Sequence, residues 1–395
     1  MLMHMTVTHP RGFVAAGITA GLKASGKKDV ALVVNEGPTF VAAGVFTTNR
    51  VVAAPVVWSR QVVADGRVDA VVMNSGGANA GTGPEGFVDT HSTAEHVAEA
   101  LQAAGRDVSP GDVVVGSTGL IGERLPMPTL LAGVDQAVAT LSPQGGDLAA
   151  EAIMTTDTVA KTVVVEGEGW SIGGMAKGAA MLAPGMATML CVITTDAVID
   201  PAQAKLALTE SVRTTLNRLD SDGCMSTNDT IVLMSSGASG VQPAPSEFQR
   251  LLTEAIHDIT QQLLRDAEGA EHDIAIRVVN ATSELAAEKV ARAVSRSNLF
   301  KAAIFGKDPN WGRIISAVGT VPEDEAPFNA ETLDVWVNGV HACKASGVGE
   351  DRSLIDLSPR AVDIVIDLHA GDSTATVWTN DLTHDYVHEN SAYST

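Results

Sequence analysis

Apolar residues in this chain come in short runs broken by glycine, and the runs have the length and β-branched content of strands. Segments 29–35, 40–48, 69–74, 112–115, 162–165, 188–194, 230–234, 273–279, 333–337, 363–368 and 374–379 read this way. Between some of them the apolar spacing changes to that of helices. Ser92 followed by Glu95 resembles a capping box ahead of Val97, Ala98 and Leu101, and Asp200 with Pro201 marks a helix start before 206–219. In 246–264 the residues Phe248, Leu251, Leu252, Ile256, Ile259 and Leu263 fall on one stripe. Several strands follow one another without an intervening helix. That order predicts an α+β fold, with sheet packed between helices, and not a doubly wound parallel sheet. Loops 142–146 and 241–246 are short connectors, and no repeat or interdomain linker is visible.

Composition narrows the function classes. With 395 residues and 45% hydrophobic content, the chain builds a large core. Its formal charge of −21 and the lack of any Lys/Arg run exclude a nucleic-acid partner as the expected one. Three widely spaced cysteines, Cys191, Cys224 and Cys343, form no CxxC, so neither disulfides nor a metal site is expected. The N-terminal residues lack the pattern of a secretory leader, and no stretch approaches the roughly 20 apolar residues of a membrane span. The expectation is a cytoplasmic protein without a membrane partner.

Cofactor motifs are equally thin. Gly81 to Gly86 matches G-x-G-x-x-G, but the preceding strand is expected to end near Asn74 and the next helix to begin near Thr93, with Pro84 inside the loop. No cofactor is therefore expected. There is no HExxH and no G-x-S-x-G, and His272 and His341 read as structural or solvated.

The informative segment is 177–196. Pro184 and Gly185 make a turn, Ala187 presents an uncrowded carbonyl, and Met189 to Ile193 form an apolar run that holds Thr188 at its tip. A β-branched threonine opening a strand is ordinarily unremarkable. If the Ala187–Thr188 bond is cut, however, Thr188 becomes an N-terminal threonine carrying both a nucleophile and a base. Two further hydroxyl-bearing stretches, 116–119 and 154–158, lie at the ends of predicted elements, where catalytic groups are often presented.

Taken together, segments 44–50, 74–80, 116–122, 154–158, 177–188, 226–230, 308–313 and 390–395 resemble the ornithine acetyltransferase (glutamate N-acetyltransferase, ArgJ) family of arginine biosynthesis. The chain departs from the family pattern at Gly77 and Gly81, where Asn and Cys are expected. The resemblance implies a layered α/β/β/α-type sandwich of the ornithine acetyltransferase/DmpA kind, in a precursor that cleaves itself between Ala187 and Thr188. An α chain, 1–187, and a β chain, 188–395, would then assemble as an α2β2 heterotetramer.

The resemblance also implies an acyltransferase that moves acetyl from N2-acetylornithine to glutamate through acetyl-Thr188, with no cofactor. Whether acetyl-CoA also serves as donor is left open. By the same resemblance Thr118 and Gly119 form the oxyanion hole. Substrate would be bound by Thr155 (or its neighbour Thr156), Lys177, Thr188, Glu268, Asn390 and Thr395, with Lys177 facing an α-carboxylate and Glu268 the ornithine ammonium. Segments 218–230 and 308–313 read as scaffold with no catalytic role. Two rival readings stand beside this one: an N-terminal-nucleophile amidohydrolase or aminopeptidase, and a non-catalytic amino-acid-binding protein.

Overall fold

The computed structural model describes residues 6–183 and 189–392. The first sheet has the order β1 (Phe13–Ile18), β2 (Val30–Asn35), β4 (Ala70–Ser75), β5 (Val113–Thr118). The second has the order β3 (Val41–Phe46), β9 (Thr230–Ser235), β8 (Leu190–Thr195), β7 (Ser171–Lys177), β6 (Lys161–Glu166). Only β4/β5 and β8/β9 run parallel within them.

These two sheets lie face to face. Val33, Val71, Met73 and Val114 of one meet Met175, Leu190, Val192 and Val232 of the other in a common core. Helices cover the outer faces. On the first sheet, α2 (Gly83–Ala103) and α3 (Met127–Ala139) bury Leu32, Val72 and Val115, while α1 (Ala54–Val62) and α4 (Gly146–Ala152) close its edges. On the second sheet, α5 (Pro201–Thr214) and α6 (Pro245–Arg265) cover Cys191, Ile193, Ile231 and Leu233. The result is the expected α/β/β/α sandwich. Strands enclosed on both faces have no polar side to present, which is why β2, β8 and β9 are buried along their whole length and read as unbroken apolar runs.

A third sheet, not separated by the sequence reading, has the order β13 (Gly347–Val348), β12 (Val340–Lys344), β11 (Asp334–Val337), β14 (Ala361–Asp367), β10 (Asp273–Ala281), β15 (Ser373–Asn380). Its strands alternate buried and more exposed positions, because helices α7 (Glu284–Ser295), α8 (Asn298–Phe305) and α9 (Trp311–Val318) share a core with one face only. β15 ties this unit to the sandwich: Asn380 Nδ2 donates to Leu264 O at 2.9 Å, and Asp220 N donates to Trp378 O at 2.8 Å. The chain's last described element is α10 (His384–Ala392). The two singled-out histidines are structural, as expected: His272 bridges Asp381 Oδ2 (2.7 Å) and Leu357 O (3.1 Å), and His341 stacks on Trp336 with centroids 4.3 Å apart.

Some boundaries differ from the sequence reading for identifiable reasons. Helix α2 begins at Gly83, well before Thr93, because Pro84 belongs to its first turn, where a missing N–H costs nothing. The Gly81 to Gly86 loop does therefore meet a helix start, but its own side chains fill it. Thr82 Oγ1 donates to Asn79 Oδ1 at 2.8 Å, Asn79 Nδ2 donates to Gly86 O at 2.8 Å, and a Cβ on Gly86 would stand 1.9 Å from Thr82 Oγ1.

Strands β1 and β7 escaped notice because each contains glycine, a weak strand former. Gly17 of β1 and Gly173 of β7 are places of close approach. A Cβ on Gly17 would sit 1.9 Å from Leu148 O of α4, and one on Gly173 would sit 2.3 Å from Thr6 O. Gly17→Ala is accordingly expected to push α4 off β1 and destabilise the chain by about 1–3 kcal/mol. An unchanged thermal melting midpoint would refute that approach.

Candidate active site

Four strand ends converge at one end of the sandwich. Lys177 closes β7, Leu190 opens β8 and Thr230 opens β9, and the three lie in register across the second sheet. Thr118 closes β5 of the facing sheet, where Gly116, having no side chain, lets Leu190 pack closely: a Cβ there would be 3.3 Å from Leu190 Cδ2. Lys177 therefore reaches across the sandwich and donates from Nζ to Thr118 Oγ1 at 3.3 Å. Both residues are buried. Ala187 and Thr188 lie outside the described residues, as do Pro184, Gly185 and Thr395. Met189, the next described residue, donates its N–H to Asp229 Oδ1 at 2.9 Å and accepts through its carbonyl from Thr230 N at 3.0 Å.

The turn after Thr118 is held by backbone contacts that only small residues permit. Thr118 O accepts from Gly76 N at 3.0 Å and from Gly77 N at 3.1 Å. Gly119 has φ +132°, and a Cβ on it would lie 2.6 Å from Gly77 N, so this position requires glycine. The departure at Gly77 is accommodated by Leu125, whose Cδ2 would be 2.7 Å from a Cβ at Gly77. Thr118, Gly119, Ala78, Met181, Ser226 and Asn228 line a cavity of about 240 Å³.

Below Lys177 is a buried charge cluster. Asp157 Oδ1 accepts from Lys161 Nζ at 2.6 Å and from Gly178 N at 2.7 Å; Oδ2 accepts from Thr155 N at 2.9 Å and stands 4.0 Å from Lys177 Nζ. Lys161 also donates to Asp266. Burial opposes ionisation of Asp157, but Lys177, Lys161 and the Thr155 N–H outweigh it and bring the carboxyl down to about 2. Burial pushes the Lys177 ammonium down from its ordinary value, and Asp157 works against that shift. An ammonium has three N–H groups. Among the described residues Lys177 Nζ has Thr118 Oγ1 as its hydrogen-bond acceptor and Asp157 only at ion-pair distance, so the site accommodates an added anion.

Lys23 anchors the same region, donating to Lys28 O at 2.7 Å and Met154 O at 2.5 Å; burial lowers its ammonium to about 8. Thr155 thus contributes its N–H to Asp157. Thr155 and Thr156 are equally half-buried, so exposure does not choose between their hydroxyls.

Glu268 belongs to the same end of the fold, because its N–H donates to Ala179 O, two residues past β7, at 2.9 Å. Its Oε2 accepts from Asn390 Nδ2 at 3.0 Å, while Oε1 is buried with no partner among the described residues. Gly269, at φ +61°, lets α10 approach so closely that a Cβ would fall 2.2 Å from Tyr386 N. Thr383 Oγ1 then donates to Gly269 O at 2.6 Å. The structure therefore brings together Thr118, Gly119, Thr155, Lys177, Glu268 and Asn390.

Comparison with known proteins gives the family. The ArgJ family pattern matches residues 14–395. The chain belongs to the ArgJ family. It is 59% identical over 390 residues to the arginine biosynthesis bifunctional protein ArgJ of Streptomyces avermitilis, covering 99% of this chain and 100% of that one. To the protein of the same name from Thermobifida fusca it is 58% identical over 391 residues, again covering 99% and 100%. Among solved structures it is similar to ornithine acetyltransferase from Mycobacterium tuberculosis complexed with ornithine, at 57% identity and a TM-score of 0.45, covering 47% of this chain and 96% of that one.

In this ArgJ family member, sequence reasoning passed over Asp157, Lys161, Asp229 and Asp266. The available signal was a lysine opening an apolar strand with an aspartate four residues before it, since a buried ammonium requires a carboxylate. Because Asp157 is depressed from 3.8 to about 2, its ionisation stabilises the fold fully above about pH 4, and that contribution is lost as pH falls toward 2. The contribution is on the order of 2 kcal/mol. The stability difference between wild type and Asp157→Asn, measured by denaturant unfolding, should shrink by that amount between pH 5 and about pH 2. A difference independent of pH would contradict the assignment.

Proposed function

We propose that this chain is an acetyltransferase that cleaves itself between Ala187 and Thr188 and transfers acetyl from N2-acetylornithine to glutamate. The observation that carries the reading is the meeting of Lys177 Nζ and Thr118 Oγ1, 3.3 Å apart and buried, at the end of the sandwich where Met189 begins. Thr188 Oγ attacks the Ala187 carbonyl, and the N-to-O acyl shift breaks the C–N bond and frees the Thr188 α-amine as an ester forms on Oγ. Water then hydrolyses that ester to release the Thr188 hydroxyl and the Ala187 carboxylate. The α chain, 1–187, and the β chain, 188–395, then stay joined, because β7 and β8 are paired from Ile172↔Thr195 to Lys177↔Leu190 and share the intersheet core.

An α-amine titrates at roughly 7.7–8.0, so an appreciable neutral fraction is present near pH 7 to take the Thr188 hydroxyl proton. Acetylornithine acylates Thr188 and ornithine leaves; glutamate then binds and removes the acetyl group. Each tetrahedral oxyanion is held by the Thr118 hydroxyl and the Gly119 N–H. Lys177 takes the α-carboxylate that both substrates carry. The free Oε1 of Glu268 takes the ornithine side-chain ammonium, oriented by Asn390 on Oε2. Thr155 and Thr395 complete the substrate contacts, two αβ units associate as α2β2, and the enzyme works in the cytoplasm. Among the described residues no helix is long and apolar enough to cross a membrane.

Intact mass analysis should give two fragments, the smaller-numbered one ending at Ala187, and Thr188→Ala should run as one 40.8 kDa chain. Equal release of acetate from N2-acetylornithine with and without glutamate would replace the transferase by a hydrolase. An assay with acetyl-CoA as donor decides whether the chain uses it too. Thr118→Val removes one oxyanion donor and is expected to lower kcat by about 10²–10³. A wild-type kcat in that variant would remove Thr118 from the oxyanion hole.

A further inference from the structure

Two stretches of chain meet at the turn after Thr118: 76–78, which follows β4, and 117–119, which ends β5. Thr118 O accepts from Gly76 N at 3.0 Å and from Gly77 N at 3.1 Å. In a planar trans peptide the N–H points opposite to the carbonyl, so these two bonds turn the Gly119 N–H away from 76–78. That N–H has no acceptor among the described residues, and Gly119 borders the same cavity as Thr118. The separation of the two stretches therefore sets where the Gly119 N–H and the Thr118 hydroxyl point.

One side chain from the other sheet spans that separation. Asn228, in the loop before β9, is buried, and its Nδ2 donates to Ala78 O at 2.6 Å on one stretch and to Ser117 O at 2.9 Å on the other. A primary amide nitrogen has two N–H groups, and here each goes to a different stretch. Its Oδ1 accepts from Thr227 Oγ1 at 2.5 Å, which leaves no side-chain group idle. Asn228 is itself held: its N–H donates to Ser226 Oγ at 3.0 Å, its carbonyl accepts from Thr230 Oγ1 at 3.0 Å, and Thr230 pairs with Leu190 at the start of β8. Asn74 makes a second tie, from Gly77 O (3.1 Å) to the Ser117 hydroxyl (2.6 Å), but it belongs to β4 and carries no register to the second sheet.

We propose that Asn228 is a positioning residue for the oxyanion hole: its amide holds the two stretches that carry Thr118 and Gly119 at a fixed separation and ties them to the β8/β9 edge of the facing sheet. This rests on the reading of Thr118 and Gly119 given above, and it assigns a role within a segment that family resemblance leaves as scaffold. After cleavage Asn228 lies on the β chain and its two acceptors on the α chain, so the amide also fixes one chain's oxyanion donors against the other chain. Donors that are aimed before the oxyanion forms need no rearrangement as its charge develops. Asn228 touches no reacting atom and acts through the turn alone.

The test compares wild type with Asn228→Asp, which keeps the size but puts an acid oxygen where the amide donates, with Thr118→Val, and with the double variant. Acetyl transfer from N2-acetylornithine to glutamate is followed by steady-state kinetics on the cleaved fraction, and the fold by thermal melting. The expected result for Asn228→Asp is kcat lowered about tenfold or more with KM for both substrates within about twofold, because the loss lies in the transition state. In the Thr118→Val chain the same replacement lowers kcat by a smaller factor, since one of the two donors it positions is already gone. A wild-type kcat in Asn228→Asp overturns the proposal, and so do equal factors in the two backgrounds or a loss expressed only in melting temperature or KM. If Asn228→Asp is insoluble or uncleaved, Asn228→Ala is judged by the same criteria, and failure of both to give a folded, cleaved chain overturns the role. A Thr118→Val chain with wild-type kcat defeats the oxyanion reading, and this proposal with it. An impaired Thr118→Val beside an unimpaired Asn228→Asp defeats this proposal alone.

Discussion

Burying an ammonium in a protein core is prohibitive unless opposite charge and hydrogen-bond acceptors are built around it, and the end of this sandwich is organised by that requirement. Lys161 and Lys177 both lie in the interior, and one carboxylate, Asp157, is close to both. Asp157 also receives the N–H groups of Thr155 and Gly178, so the 154–158 loop and the exit of β7 are tied to the charge that stabilises them. Asp266, at the end of α6, closes the cluster from the helix side through Lys161. Lys177 is left with hydrogen-bonding capacity directed toward Thr118. A lysine in water would be a mobile, hydrated charge; here it is held in place before any ligand arrives.

The same end of the fold depends on backbones approaching more closely than side chains allow. Gly119 against Gly77, and Gly269 against Tyr386, are contacts a Cβ would block. The first sets the turn beyond Thr118, and the second seats α10 so that Asn390 meets Glu268. In an antiparallel pair such as β7 and β8, cutting a connecting loop leaves the ladder between the strands untouched. A cut in that loop would therefore leave the core between the sheets intact.

Much of the sandwich was legible in the chain because burial leaves a periodic trace. Strands enclosed on both faces, such as β2, β8 and β9, read as unbroken apolar runs, and the stripe of α6, from Phe248 to Leu263, is buried residue for residue. Strands β1 and β7 were not legible, since their glycines lower the strand signal for reasons that exist only in the folded state: α4 crosses at Gly17 and the N-terminal segment at Gly173. The start of α2 was misjudged because a capping-box pattern at Ser92 competes with a proline that helices accept in their first turn.

For the candidate site, the sequence offered the hydroxyls, the lysine and the acidic residue as candidates, since their order along the chain resembles the family pattern from one end to the other. It also put the 116–119 and 154–158 stretches at element ends, because apolar runs stop there. Only the tertiary structure decided what those groups face. Thr118 and Lys177 come from different sheets, Glu268 meets a helix more than a hundred residues further on, and the Lys161, Asp157 and Asp266 cluster joins a strand, a loop and a helix end. The physical reason is that side-chain periodicity encodes which face of an element is buried, whereas charge pairing depends on how distant strands stack.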